Sequence, residues 1–124
     1  MSSLPPPLPI DAQERRRDVR RKSRLRIDFF RLASAEGEID IERPRWGVAQ
    51  DLSLSGVKLE RAGHLSSGAL LRLMMRLPDY IHEPIDCYAR VVRLDVGNAP
   101  SYGLRFVGLT ISAAHRLDRF CKAA

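Results

Sequence analysis

The residues of this chain best equipped for chemistry lie in two places. Residues 14–26 hold eight Lys/Arg, seven of them Arg, against Glu14 and Asp18. That is a local charge of +6, which equals the net charge of the whole chain, so everything outside these thirteen residues sums to zero. A near-neutral body with one concentrated cation asks for an anionic partner. The preference for Arg narrows the choice, because a guanidinium grips phosphate with two parallel hydrogen bonds, reads the O6/N7 edge of guanine and stacks on purine faces. Lysine does only the first of these, as a point charge. Arg20 and Arg24 stand four apart just ahead of Leu25.

The second place is Asp51-x-Ser53-x-x-Gly56. It reads as a strand–turn–strand connection, with Asp and Ser bonded to the turn backbone and Gly56 supplying a positive φ. Its chemistry equally suits a purine. Asp51 is an acceptor for guanine N1–H and N2–H₂, Ser53 can donate to a base or phosphate, and Gly56 would let a ligand approach the backbone. The residues alone leave both readings open.

Other chemistry is thinly supported. No Cys/His cluster has metal-ligand spacing, no glycine-rich phosphate loop precedes a helix, and no nucleophile is spaced for a His partner. The expectation is a protein that is not an enzyme and holds no metal or cofactor. His64, His82 and His115 read as surface residues, Cys87 and Cys121 as reduced buried thiols in a strand and a helix. With no run of ~18 apolar residues and no signal-peptide pattern, the expectation is a cytoplasmic protein with no membrane insertion.

The elements that must position these groups follow from periodicity. At 124 residues the chain has room for one domain. Residues 1–14 form a leader, with Pro5, Pro6, Pro7 and Pro9 favouring extended, disordered chain. The arginine-rich arm, residues 15–24, has only Val19 as an apolar anchor and is expected to be mobile or partly helical. Period-two alternation then begins at Leu25, with Leu25, Ile27 and Phe29 on one face. It recurs at Ile39–Glu42, which Arg43-Pro44 interrupts, and at Val57–Glu60, Leu71–Leu77, Ile85–Val91 and Tyr102–Val107. Gly63 and Gly68 bracket one loop, and Gly97-Asn98-Ala99-Pro100 is turn chemistry. Ser112 is the expected N-cap of an amphipathic helix over 112–122, with Ala113, Leu117, Phe120 and Cys121 on its apolar side. Six or seven short strands followed by one helix predict a small all-β antiparallel barrel, the helix covering an open end.

Arg20-x-x-x-Arg24 before the first strand, followed by Asp51-x-Ser53-x-x-Gly56, resembles the signature of the PilZ domain. Gly56-Val57-Lys58-Leu59, Ser67-Gly68-Ala69-Leu70, Ala89-Arg90-Val91-Val92-Arg93 and Tyr102-Gly103-Leu104-Arg105-Phe106 are similar to the strands that follow it in that family. The resemblance covers about residues 15–122. It implies a six-stranded β-barrel and a ligand, cyclic di-GMP, bound by Arg20, Arg21, Arg24, Asp51, Ser53 and Gly56. Arg20 and Arg24 would hold phosphate and the guanine Hoogsteen edge, with Asp51 and Ser53 on a guanine. The implied function is a cyclic di-GMP receptor of bacterial origin whose arm folds over the nucleotide and signals to a protein effector. Motility, biofilm or polysaccharide secretion would be its output. The alternative is an adaptor working by protein contact without nucleotide. Family members that take a ligand dimer often carry Arg directly before the motif; here Val19 stands there, and the register Arg17/Arg21 with Arg16 in front would restore it. Aromatic content of 6% offers no stacking platform, which weighs against a nucleic-acid partner.

Overall fold

The computed structural model describes residues 19–34, 37, 39–40, 43–79 and 81–123. The proline-rich leader, Arg15, Arg16, Arg17, Ile41 and Glu42 lie outside the described residues. Six strands and one helix follow in order: β1 (Arg21–Ala33), β2 (Arg45–Leu52), β3 (Gly56–Glu60), β4 (Leu70–Met75), β5 (Ile85–Asp95), β6 (Ser101–Val107) and α1 (Ile111–Lys122). The strands close into an antiparallel barrel in the order β1-β2-β3-β6-β5-β4, with β4 pairing back onto β1. Closure leaves no free sheet edge.

The alternation seen in sequence is the inside–outside alternation of the barrel wall. Ile27, Phe29, Leu59, Leu71, Leu73, Met75, Ile85, Cys87, Ala89, Val91 and Leu104 all point inward and are buried. The β3–β4 loop closes one end with Ala62 and Leu65, held by the Leu65 amide donating to the Tyr102 hydroxyl at 3.0 Å. Helix α1 closes the other end with Ala113, Leu117, Phe120 and Cys121, the four residues expected. Its N-cap is Thr110 rather than Ser112: the Thr110 Oγ1 accepts from the Ala113 amide at 3.1 Å, and the helix starts at Ile111. Both hydroxyl residues suit a cap, but the chain emerging from β6 reaches extended geometry at Thr110.

Two further expectations are corrected. Asp40, expected in a strand, lies outside one and clamps the β1–β2 connection. Its carboxylate accepts from the Arg31 side chain at 2.9 and 3.1 Å and from the Arg31 amide at 3.1 Å. The first strand begins at Arg21, four residues before Leu25, so the end of the arm is wall rather than free chain. Arg21 and Lys22 pair with Leu52 and Asp51, and the Ser23 hydroxyl donates to the Ala49 carbonyl at 2.6 Å. These backbone partners outweigh the repulsion among the basic side chains, three of which, Lys22, Arg24 and Arg26, stay in solvent.

Candidate nucleotide-binding site

The site sits where two irregularities meet. Between the Lys22–Asp51 and Leu25–Ala49 pairs, β1 has two residues, Ser23 and Arg24, opposite Gln50 alone. On the other side of β2, Ala49 and Asp51 pair with the consecutive residues Leu59 and Lys58, so there Gln50 itself is the extra residue. Both faults fall on Gln50. A bulge bends its strand and re-aims the next side chain. As a result Ala49 and Leu52, three apart rather than two, both point into the core, and Asp51 is left half-buried on the rim.

Asp51 is held there incompletely. Its Oδ2 lies 3.6 Å from Arg20 Nη1, a loose ion pair because Arg20 is 59% exposed. Its Oδ1 is buried and has no hydrogen-bond partner among the described residues. A buried carboxylate oxygen without a donor costs on the order of 1–3 kcal/mol. It marks a place where a donor from outside would be welcome. Lys22 stands across the ladder from Asp51 on β1 and Lys58 does so on β3. Lys58 also reaches Asp95 at 3.8 Å.

The remaining residues divide. Arg24 lies in the bulge, exposed, and makes no hydrogen bond or ion pair among the described residues. Arg21 turns to the helix instead: its Nη1 donates to the Phe120 carbonyl at 2.8 Å and its guanidinium lies 4.2 Å from the Phe120 ring centroid. Ser53 is buried inside the β2–β3 turn. Its hydroxyl accepts from the amides of Ser55 and Gly56 at 3.3 Å and lies 3.1 Å from the Ser55 hydroxyl. Gly56 does not have the positive φ expected of it. Glycine is required there because a Cβ would run into the Leu104 carbonyl of β6, so the backbone that approaches closely is the protein's own. The motif thus combines one half-buried carboxylate on the rim, Asp51, with two residues that build the turn behind it. Sequence reading missed Lys22, since only the register created by the bulge brings it opposite Asp51.

Helix α1 is fixed beside this site. The Cys121 thiol donates to the Leu52 carbonyl at 3.3 Å, one residue from Asp51. Burial pushes the other thiol, Cys87, up to about 12, so it stays protonated in the core. Among the described residues no group of His, Cys, Asp and Glu could hold a metal ion, and no helix is long and apolar enough to cross a membrane.

Residues 14–123 match the PilZ domain. The chain belongs to the PilZ family. PilZ domains are regulatory binding domains, associated with cyclic di-GMP or with adaptor contacts to proteins, rather than enzymes. Among solved structures, this PilZ domain is similar to the Bacillus subtilis inhibitor of motility MotI/DgrA, at 24% identity and TM-score 0.68 over 86% of the chain. It spans about half of that protein, 49% of its length. A second similar structure is the PilZ domain of CeSA from a cellulose-synthesizing bacterium, at 20% identity and TM-score 0.52, covering 81% of this chain and 91% of that one. Both likenesses are likenesses of fold. No curated protein matches the chain.

Proposed function

We propose that this PilZ domain is a cyclic di-GMP receptor that signals nucleotide occupancy to a protein partner. The observation that carries the reading is the partnerless, buried Oδ1 of Asp51 beside Arg20. Guanine offers N1–H and N2–H₂ side by side, which would satisfy both carboxylate oxygens, while Arg20 and Arg24 would take phosphate and the O6/N7 edge. Ser53 and Gly56 act behind Asp51 by holding the turn. Arg21 would join only by leaving Phe120. A motility or polysaccharide output belongs to the same proposal, as does a cytoplasmic, bacterial setting.

The adaptor reading draws on one observation, that Arg21 is already engaged within the protein by a hydrogen bond and a ring contact to Phe120. Calorimetric titration with cyclic di-GMP separates the two. Saturable heat is expected, with Arg20→Ala, Arg24→Ala and Asp51→Ala each weakening binding by about 1.5–3 kcal/mol, the range for hydrogen bonds to charged groups. Arg43→Ala, an exposed arginine at the other end of β2, is the charge control and should bind as the native chain does. Absence of heat at millimolar nucleotide would leave the adaptor reading standing.

A further inference from the structure

A second arginine-rich surface lies at the opposite end of β2. A shallow cleft of about 330 Å³ is lined by Arg45, Trp46, Arg61, Ala62 and Gly63. Trp46 is the chain's one tryptophan, yet it is 45% exposed while its neighbour Gly47 faces the core. The Arg26 guanidinium lies 5.1 Å from its ring centroid and is tethered by Asp28 at 3.0 Å. Arg45 donates to the carbonyls of Ala62 at 2.5 Å and His64 at 3.3 Å and lies 5.5 Å from the Phe29 ring centroid, and its charge helps to hold the Asp40 carboxyl below its ordinary value, so only part of this guanidinium is left for a ligand.

Arg61 is the most unusual residue of the cleft. Among the described residues it is the one non-glycine with positive φ, at 59°. Such a conformation is strained for a residue with a Cβ, and glycine would relieve it. Its side chain makes no hydrogen bond or ion pair among the described residues. A strained backbone that delivers an unused guanidinium into a cleft with an exposed indole is the chemistry of a binding site, not of a stabilising contact.

We propose that this cleft docks an acidic segment of a partner protein, with a carboxylate taken by Arg45 and Arg61 and an adjoining apolar side chain against Trp46. The Arg61 guanidinium, without a carboxylate partner among the described residues, matches a carboxylate in charge and shape, and Arg45 adds positive charge beside it. The cleft has room for one or two side chains. The site stands apart from Asp51 and does not depend on whether nucleotide binds.

The test uses Trp46 emission on the full chain, titrated with the acetylated, amidated peptide Glu-Leu-Glu-Glu-Leu-Glu and with its Gln-for-Glu counterpart. A saturable emission change with the acidic peptide, at least tenfold weaker with the Gln peptide, is expected. Arg61→Gly should melt no lower than the native chain yet bind at least tenfold more weakly, whereas Arg20→Ala should bind the peptide normally. Equal response to both peptides, undiminished binding in Arg61→Gly, or equal loss in Arg20→Ala would each overturn the proposal. So would no response to the acidic peptide, or a response to cyclic di-GMP alone.

Discussion

Asp51 carries the sharpest conflict between stability and function in the molecule. Its Oδ1 is withdrawn from water and given nothing in return. Removing the carboxylate should therefore cost the fold nothing. Asp51→Ala is expected to raise unfolding stability by about 1 kcal/mol in urea titrations while weakening the proposed nucleotide binding by about 1.5–3 kcal/mol. A stability loss would mean that the Arg20 pair matters more than its 3.6 Å separation and solvent exposure suggest. Arginine chemistry and the Asp-x-Ser-x-x-Gly motif were legible as residue types. Their division of labour was not: Ser53 and Arg21 both look like ligand donors in sequence, yet one is spent inside a turn and the other on a helix 99 residues away. Long-range contacts of this kind leave no mark in local spacing.

At the scale of elements, the barrel was readable because its wall obeys period two almost everywhere. Ile85 to Val91 alternates without a fault, as does Leu71 to Leu77. The reading failed where the backbone breaks period two, at Gln50 and at Ser23-Arg24, and these faults make the site. The true start of β1 was hidden for a related reason. Arg21 to Arg24 is polar on both faces, so alternation of hydrophobicity could not reveal a strand held by its backbone. Gly56 gives a test of the packing reading. Because its Cβ would meet the backbone of β6 rather than a side chain able to move, Gly56→Ala should destabilise by about 3 kcal/mol. Thermal melting checks it. A melting point unchanged in Gly56→Ala would show that β3 and β6 can separate without cost.

Across the whole molecule, the helix is locked by polar contacts at three points, Arg21 to Phe120, Cys121 to Leu52 and Arg116 to Asp79. Arg116 donates to both oxygens of Asp79 at 3.1 Å, with 9% of the Arg116 side chain and 24% of the Asp79 side chain exposed. The Arg116 bond holds the Asp79 carboxyl below its ordinary value of 3.8, and Arg31 does the same for Asp40. Asp86 is lowered too, by Arg72, but that pair is nearly half-exposed and weighs little. A carboxyl whose folded value is depressed stabilises fully above its unfolded value and loses that contribution as pH falls through the folded one. The melting temperature should therefore be level from about pH 7 to pH 5 and fall below about pH 4. Asp79→Asn should start lower and fall less steeply. An identical acid limb in Asp79→Asn would remove the helix lock as a source of acid sensitivity.

The way the helix is seated also governs the order in which the fold can form. Phe120 meets Arg21 across 99 residues, Cys121 meets Leu52 across 69, and β3 must wait for β6 to gain its second neighbour. Closure of so non-local a ring is intrinsically slow, in the millisecond-to-second range for barrels of this kind. Until β6 and the helix are in place, the β1–β2 corner that bears Asp51 has no floor beneath it. The proposed ligand site is therefore among the last features to mature, and a nucleotide could find it only on a chain that has already closed.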